Sequence, residues 1–156
     1  MIADSTCMIC LSKIKKVELL KKVFRSVAIP RAVKNEILIE GKEGLQDIQN
    51  ALNEGWLKIR NAKRVMNLGL GEGENEALSL AHERKETLIL DDAYALKAAR
   101  ALHIDTIRTT SIIFIAVKKK IIDKEESIAI LNKLIENGYY ISPAAYAAIL
   151  TKLKEK

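Results

Sequence analysis

The chain is short of cysteine, histidine and aromatics, and each shortage removes a class of protein. Two cysteines, Cys7 and Cys10, are too few for a disulfide framework. Their C-x-x-C spacing invites a zinc reading, but such a site takes about four ligands. The two histidines, His82 and His103, lie far off in sequence. Both cysteines are therefore expected to pack as small hydrophobes, and both histidines to lie at the surface. Aromatics make up 4% of the residues, so the core must be largely aliphatic, which suits α/β or all-α packing. No stretch approaches about 18 uninterrupted apolar residues, so no membrane-spanning helix is expected. The opening MIADSTCMIC carries Asp4 and no basic leader, unlike a secretory signal. The chain reads as cytoplasmic.

What is present is the balance of a globular protein, 49% apolar and 29% charged, long enough to bury a real core. No repeat, low-complexity stretch or linker divides it, so residues 1–156 are expected to form one domain. The net charge of +6 suits an anionic partner such as RNA or DNA. The lysine and arginine clusters are scattered, however, so charge alone does not separate nucleic-acid binding from a lysine-rich surface.

Short apolar runs alternate with helix-periodic ones. MIAD, VAIP, WLKIR, TLILD and DTIRT read as strands. VELLKKVF, RAVKNEIL, GLQDIQNALNEG, residues 74–84, DAYALKAARAL, SIIFIAVKKK, Lys124 to Asn137 and the run after Ser142-Pro143 read as helices. Ser5 is placed to cap the first helix and Pro30 to open the helix after VAIP. The alternation predicts an α/β fold with a parallel sheet.

In such a sheet, ligands gather at the carboxyl ends of the strands, near the topological switch point. Asp4 ends the first strand, and Asp91 and Asp92 end TLIL. Glu74 and Glu76, with Glu72 just ahead, open the helix before that strand, and Glu36 lies in the helix after VAIP. Any one of these acids suits helix capping. Gathered at one pole, they would repel unless a cation joined them. Oxygen-only donors suit Mg²⁺ or Mn²⁺, ions that serve phosphodiester hydrolysis by activating water.

Two other chemistries do not fit. Gly69, Gly71 and Gly73 match neither dinucleotide nor P-loop spacing, and Glu72, Glu74 and Glu76 would repel a phosphate. Asp4-Ser5-Thr6 lacks the D-x-D of a haloacid-dehalogenase-type nucleophile.

IADST, VAIPRAVKNEI, GLGEGENEALSLA, TLILDDAYALKAARALHI and the late IIFIAVKKKIID…LIENGYYIS together resemble a PIN-domain ribonuclease, of the short prokaryotic branch related to VapC-type toxins. The resemblance runs almost end to end. It implies a doubly wound parallel sheet sandwiched by helices and one or two Mg²⁺ or Mn²⁺ ions. Metal-activated water would attack an RNA phosphodiester. Asp4 then corresponds to the family's first acid and Glu36 to the second, within P-x-x-V-x-x-E. Glu74 corresponds to the third, 18 positions before Asp92, the fourth. Asp4, Glu74 and Asp92 would hold metal, with Ser5, Asp91, Thr110, Glu72 and Glu76 as possible accessories. Thr109-Thr110 stands where this branch usually has Gly-Thr. The resemblance also implies an endoribonuclease acting as the toxin of a toxin–antitoxin pair, with a small antitoxin protein as partner. The alternative is a non-catalytic PIN-fold module that binds nucleic acid or protein. A homodimer is expected from the resemblance together with the apolar SIIFIAV and AAYAAIL runs. Trp56 and Tyr139-Tyr140 are expected to pack beside the sheet or at that dimer contact, rather than to stack on bases.

Overall fold

The five apolar runs pair into one sheet in the computed structural model, which describes residues 1–155. β1 (Ile2–Ala3) leads into α1 (Ser5–Lys13) and α2 (Glu18–Phe24), and β2 (Val27–Ile29) into α3 (Arg31–Ile37) and α4 (Leu45–Asn53). After β3 (Leu57–Ile59) comes an irregular segment, then α5 (Glu72–Arg84), β4 (Leu88–Ile89), α6 (Ala93–Ala101) and β5 (Thr106–Ile107). α7 (Thr109–Lys118), α8 (Lys124–Glu136) and α9 (Pro143–Glu155) follow.

All four pairings are parallel, in the order β3-β2-β1-β4-β5. The chain winds outward through β2 and β3, then crosses back to β4 and β5. The order therefore reverses between β1 and β4, and in such sheets ligands bind beyond the carboxyl ends of the strands at that point.

Side chains alternate across a strand, and here both faces are apolar. Ala3, Val27, Ile29 and Ile89 join one core with Met8 and Leu11 of α1, Leu20 of α2 and Ile112 of α7. Ile2, Ala28, Leu88 and Leu90 join the other with Ala77, Leu78 and Ala81 of α5 and Ala95 and Ala99 of α6. Two buried faces need two layers of helices, so the sheet is doubly wound. Each buried Ile or Leu contributes about 1.5–3 kcal/mol of transfer free energy. Cys7 and Trp56 are buried, Cys10 is half-buried, and His82 and His103 are exposed.

Local starts differ from the sequence reading in instructive ways. Asp4, not Ser5, takes the N-cap position of α1. Pro30 caps α3 instead of opening it, and α5 begins at Glu72, two residues earlier than expected. The SIIFIAV run is used inside the chain, with Ile112, Ile113 and Ala116 of α7 buried against the first core. Only Leu153 of α9 is fully buried. Among the described residues no helix is long and apolar enough to cross a membrane.

The segment from 60 to 71 lies along α5, held by side chains spaced one helical turn apart. Asn75, Ser79 and Glu83 share one face of the helix by their i, i+4 spacing. They accept the backbone N–H groups of Leu68, Met66 and Lys63 at 3.3, 2.8 and 2.8 Å. The backbone entering α5, and with it the position of Glu74, is fixed in this way.

Candidate active site

Asp4 stands at the carboxyl end of the central strand, beside the point where strand order reverses. Its N–H still belongs to the sheet, donating to the Ile89 carbonyl at 3.1 Å. Its carboxylate belongs to nothing. It occupies an N-cap position without capping, is 1% exposed, and neither oxygen has a hydrogen-bond partner. Burial pushes this carboxyl up to about 7. The Ser5 N–H opposes the shift without reaching hydrogen-bonding geometry, while the charges of Glu74, Glu36 and Asp91 add to it. A buried, unpaired acid is costly, and its neighbours are acids too.

Glu36 and Glu74 arrive on two helices laid antiparallel. The Gly73 N–H at the start of α5 donates to Glu36 Oε1 near the end of α3 at 3.2 Å. Farther along α5, Glu76 Oε2 accepts the Ala32 N–H at the start of α3 at 2.9 Å. Pro30 offers α3 no capping side chain, so Glu76 and Asn61, which accepts from the Arg31 N–H at 2.9 Å, satisfy those amides from outside. Glu76 is thus a structural clamp. Glu74 accepts the Gly71 N–H at 2.8 Å through one oxygen, and the glycine cap has no side chain to return the bond. A side chain at either glycine would push a glutamate carboxylate aside. A Cβ on Gly71 would meet Glu74 Oε2 at 2.6 Å, and one on Gly73 would come within 2.9 Å of the Glu36 carboxyl carbon. Glu72 is exposed.

The adjacent aspartates after β4 have separate tasks. Asp92 is exposed and caps α6, accepting the Ala95 N–H at 2.8 Å. Asp91 turns to the other side, where Oδ1 accepts the Thr109 N–H at 3.1 Å and the Tyr139 hydroxyl at 2.6 Å. Its Oδ2 accepts the Thr109 hydroxyl at 2.6 Å and keeps a second lone pair. Burial first, and the Asp91 charge second, hold Tyr139 protonated as a donor. Asp91, not Asp92, therefore acts on Asp4. Thr109 and Tyr139, both buried, hold Asp91, whereas Thr110, the accessory expected from the sequence, makes no bond to it. Ser111 instead accepts the Arg108 N–H at 3.2 Å, and Thr110 is half-buried beside Tyr139. Cys7 packs near Thr109, its thiol pushed up by burial, and is inert.

The sequence matches the family model of a PIN domain over residues 1–155. The chain belongs to the PIN-domain family. PIN domains are generally nucleases and typically use divalent metals. Among solved structures, a PilT N-terminus domain protein from the hyperthermophilic archaeon Sulfolobus solfataricus is similar at 21% identity. That match covers 72% of this chain and 90% of that one, with a TM-score of 0.48. No curated protein matches the sequence.

The donors of this PIN domain fit a hard cation. Asp4 presents two unpartnered buried oxygens, and the charges around it are carboxylates. Among the described residues no three His, Cys, Asp or Glu side chains converge into a cage. Mg²⁺ does not need one, since it keeps several waters and takes one or two carboxylates directly.

Three arginines follow strands at the same end of the sheet as this acidic centre. The flanking strands β2, β3 and β5 run into Arg31, Arg60 and Arg108. All three are exposed, and none takes part in an ion pair among the described residues.

Proposed function

We propose that this PIN domain is a Mg²⁺- or Mn²⁺-dependent endoribonuclease. The observation that carries the reading is Asp4, a buried carboxylate with no protein partner and three acids about it. Asp4 and Glu74 would hold the ion, with Asp91 Oδ2 as a further donor and Glu36 as the acid oriented by Gly73. A bound ion there supplies activated water and offsets the charge that builds on a phosphodiester during in-line displacement. Thr109 and Tyr139 fix the Asp91 carboxylate, so that its free lone pair keeps one direction. Arg31, Arg60 and Arg108 are placed to take the phosphates on either side of the cut, where guanidinium groups bind in a fixed fork.

The test is cleavage of a labelled structured RNA with Mg²⁺ or Mn²⁺, against EDTA and against Asp4→Asn and Asp91→Asn. Cleavage should need the metal and both acids; equal activity in wild type and variants would identify a contaminant. The resemblance extends the reading to the toxin of a toxin–antitoxin pair. The expected partner is then a small antitoxin protein, and a small overlapping gene in the neighbouring reading frame, whose product suppresses the activity, would support it. The exposed alanine face of α9 supports a homodimer, testable by light scattering at micromolar concentration.

The second reading is a PIN fold that binds without cutting, favoured by the absence of a preformed three-carboxylate cage among the described residues. Mn²⁺ decides between them. A metal-binding site gains thermal stability by linkage, and a bare scaffold does not.

A further inference from the structure

A cavity lies on the β5 side of the acidic centre, with a volume of about 280 Å³. Arg108, Thr110, Tyr139, Tyr140, Ser142 and Ile149 are among its walls. Tyr139 is shared between the two: its hydroxyl bonds Asp91 at 2.6 Å, and the residue also lines the cavity. The next residue, Tyr140, is 84% exposed, more than any other large hydrophobic side chain among the described residues. A fold with so few aromatics leaves this one in water, one residue from the tyrosine that holds Asp91. Arg108 at the rim is exposed and outside the ion pairs of the described residues. The cavity thus joins a flat π face, a free guanidinium and two hydroxyls, Thr110 and Ser142.

We propose that this cavity is a nucleotide subsite, in which Tyr140 stacks on an unpaired base and Arg108 holds the adjoining phosphate. It rests on the nuclease reading for its place beside the scissile bond. A paired base has both faces covered by its neighbours in the stack, so Tyr140 selects against duplex. Aromatic stacking of this kind tolerates any base, so the subsite orders the strand without dictating its sequence.

The test is fluorescence anisotropy of a labelled single-stranded oligoribonucleotide and of a perfect duplex of the same length, in EDTA so that no cleavage intervenes. Wild type should favour the single strand. Tyr140→Ala should weaken that binding roughly 5- to 150-fold, the range expected for loss of one stacked base, and Tyr140→Trp should retain it. Arg108→Ala should lower the slope of log K against log salt by about 0.7, as for one phosphate contact on a single strand. Tyr140 is exposed, so these variants are expected to fold, and an unchanged circular dichroism melt checks it. Equal binding by Tyr140→Ala and wild type would overturn the subsite, as would equal loss for the duplex. Retained RNA binding with loss only of self-association would assign the patch to protein contact and overturn it too. The subsite and the nuclease reading fail separately. If Tyr140 governs binding but no metal supports cleavage, the subsite stands and the nuclease reading falls. If cleavage needs Asp4 but neither binding nor cleavage responds to Tyr140, the reverse holds.

Discussion

Replacing Asp4 by asparagine should make the metal-free protein less sensitive to pH, and more stable above neutrality. In the folded chain burial raises this carboxyl from its ordinary 3.8 to about 7. The folded state therefore binds the proton more tightly than the unfolded chain does. Below about pH 4 both states hold it, and the group adds no pH dependence. Between about 4 and 7 the unfolded chain has released the proton while the folded chain retains it, so stability falls as pH rises. Above about 7 both are ionised and the full deficit stands. At 1.36 kcal/mol per pH unit the deficit is about 4 kcal/mol, an upper figure because buried groups relax. The introduced amide is itself left unpaired at about 1–3 kcal/mol, but that penalty is nearly independent of pH. The quantity to measure is therefore the difference between variant and wild type at pH 8, minus the same difference at pH 4. Urea unfolding followed by circular dichroism in EDTA, with linear extrapolation, gives it. An advantage to Asp4→Asn that grows by several kcal/mol toward pH 8 is expected, and Mn²⁺ should restore wild type alone. Parallel pH profiles for the two proteins would refute the account of Asp4 as a buried, unpartnered acid.

Other substitutions separate chemistry from support. Asp91→Asn should abolish cleavage, whereas Asp92→Asn should leave both cleavage and melting unchanged, since Asn and Asp cap helices about equally well. Metal-dependent nuclease assays on the pair decide which aspartate matters. Gly73→Ala adds a methyl against the Glu36 carboxylate. Because the displaced group ends a flexible side chain, activity should fall by an order of magnitude or more with little change in melting temperature. Tyr139→Phe removes one hydrogen bond to a charged acceptor and should cost about 1.5–3 kcal/mol in urea unfolding. It should also weaken Mn²⁺ binding by calorimetry.

The sheet was legible because five short apolar runs alternate with periodic ones, and buried parallel strands leave that mark in sequence. The place of Asp4 was legible for a related reason: it follows a strand directly, and position on a strand end depends on little else. The assignment at Asp91-Asp92 was harder, yet a local signal existed. Asp92 immediately precedes the periodic run of α6, the N-cap position, where the helix backbone claims the side chain. That leaves Asp91 for other partners. The glutamates of α5 carried a similar signal, since Glu74 and Glu76 stand two apart on a helix and cannot face the same way. Nothing local pointed to Tyr139, which meets Asp91 from 48 residues away. Its ordinary sequence surroundings describe a residue leaving a helix, and only the packing of α7 and α8 brings it to the site. The arginines were visible singly as surface charge. Their placement after three different strands becomes a pattern only once the sheet aligns those strands.

The two bonds between α3 and α5 gear the acids together. With Gly73 held by Glu36 at one end and Ala32 held by Glu76 at the other, neither helix can slide or rotate by itself. A change at one end is therefore felt at the other: removing the Glu76 carboxylate would free the start of α3 and loosen the hold on Glu36 as well.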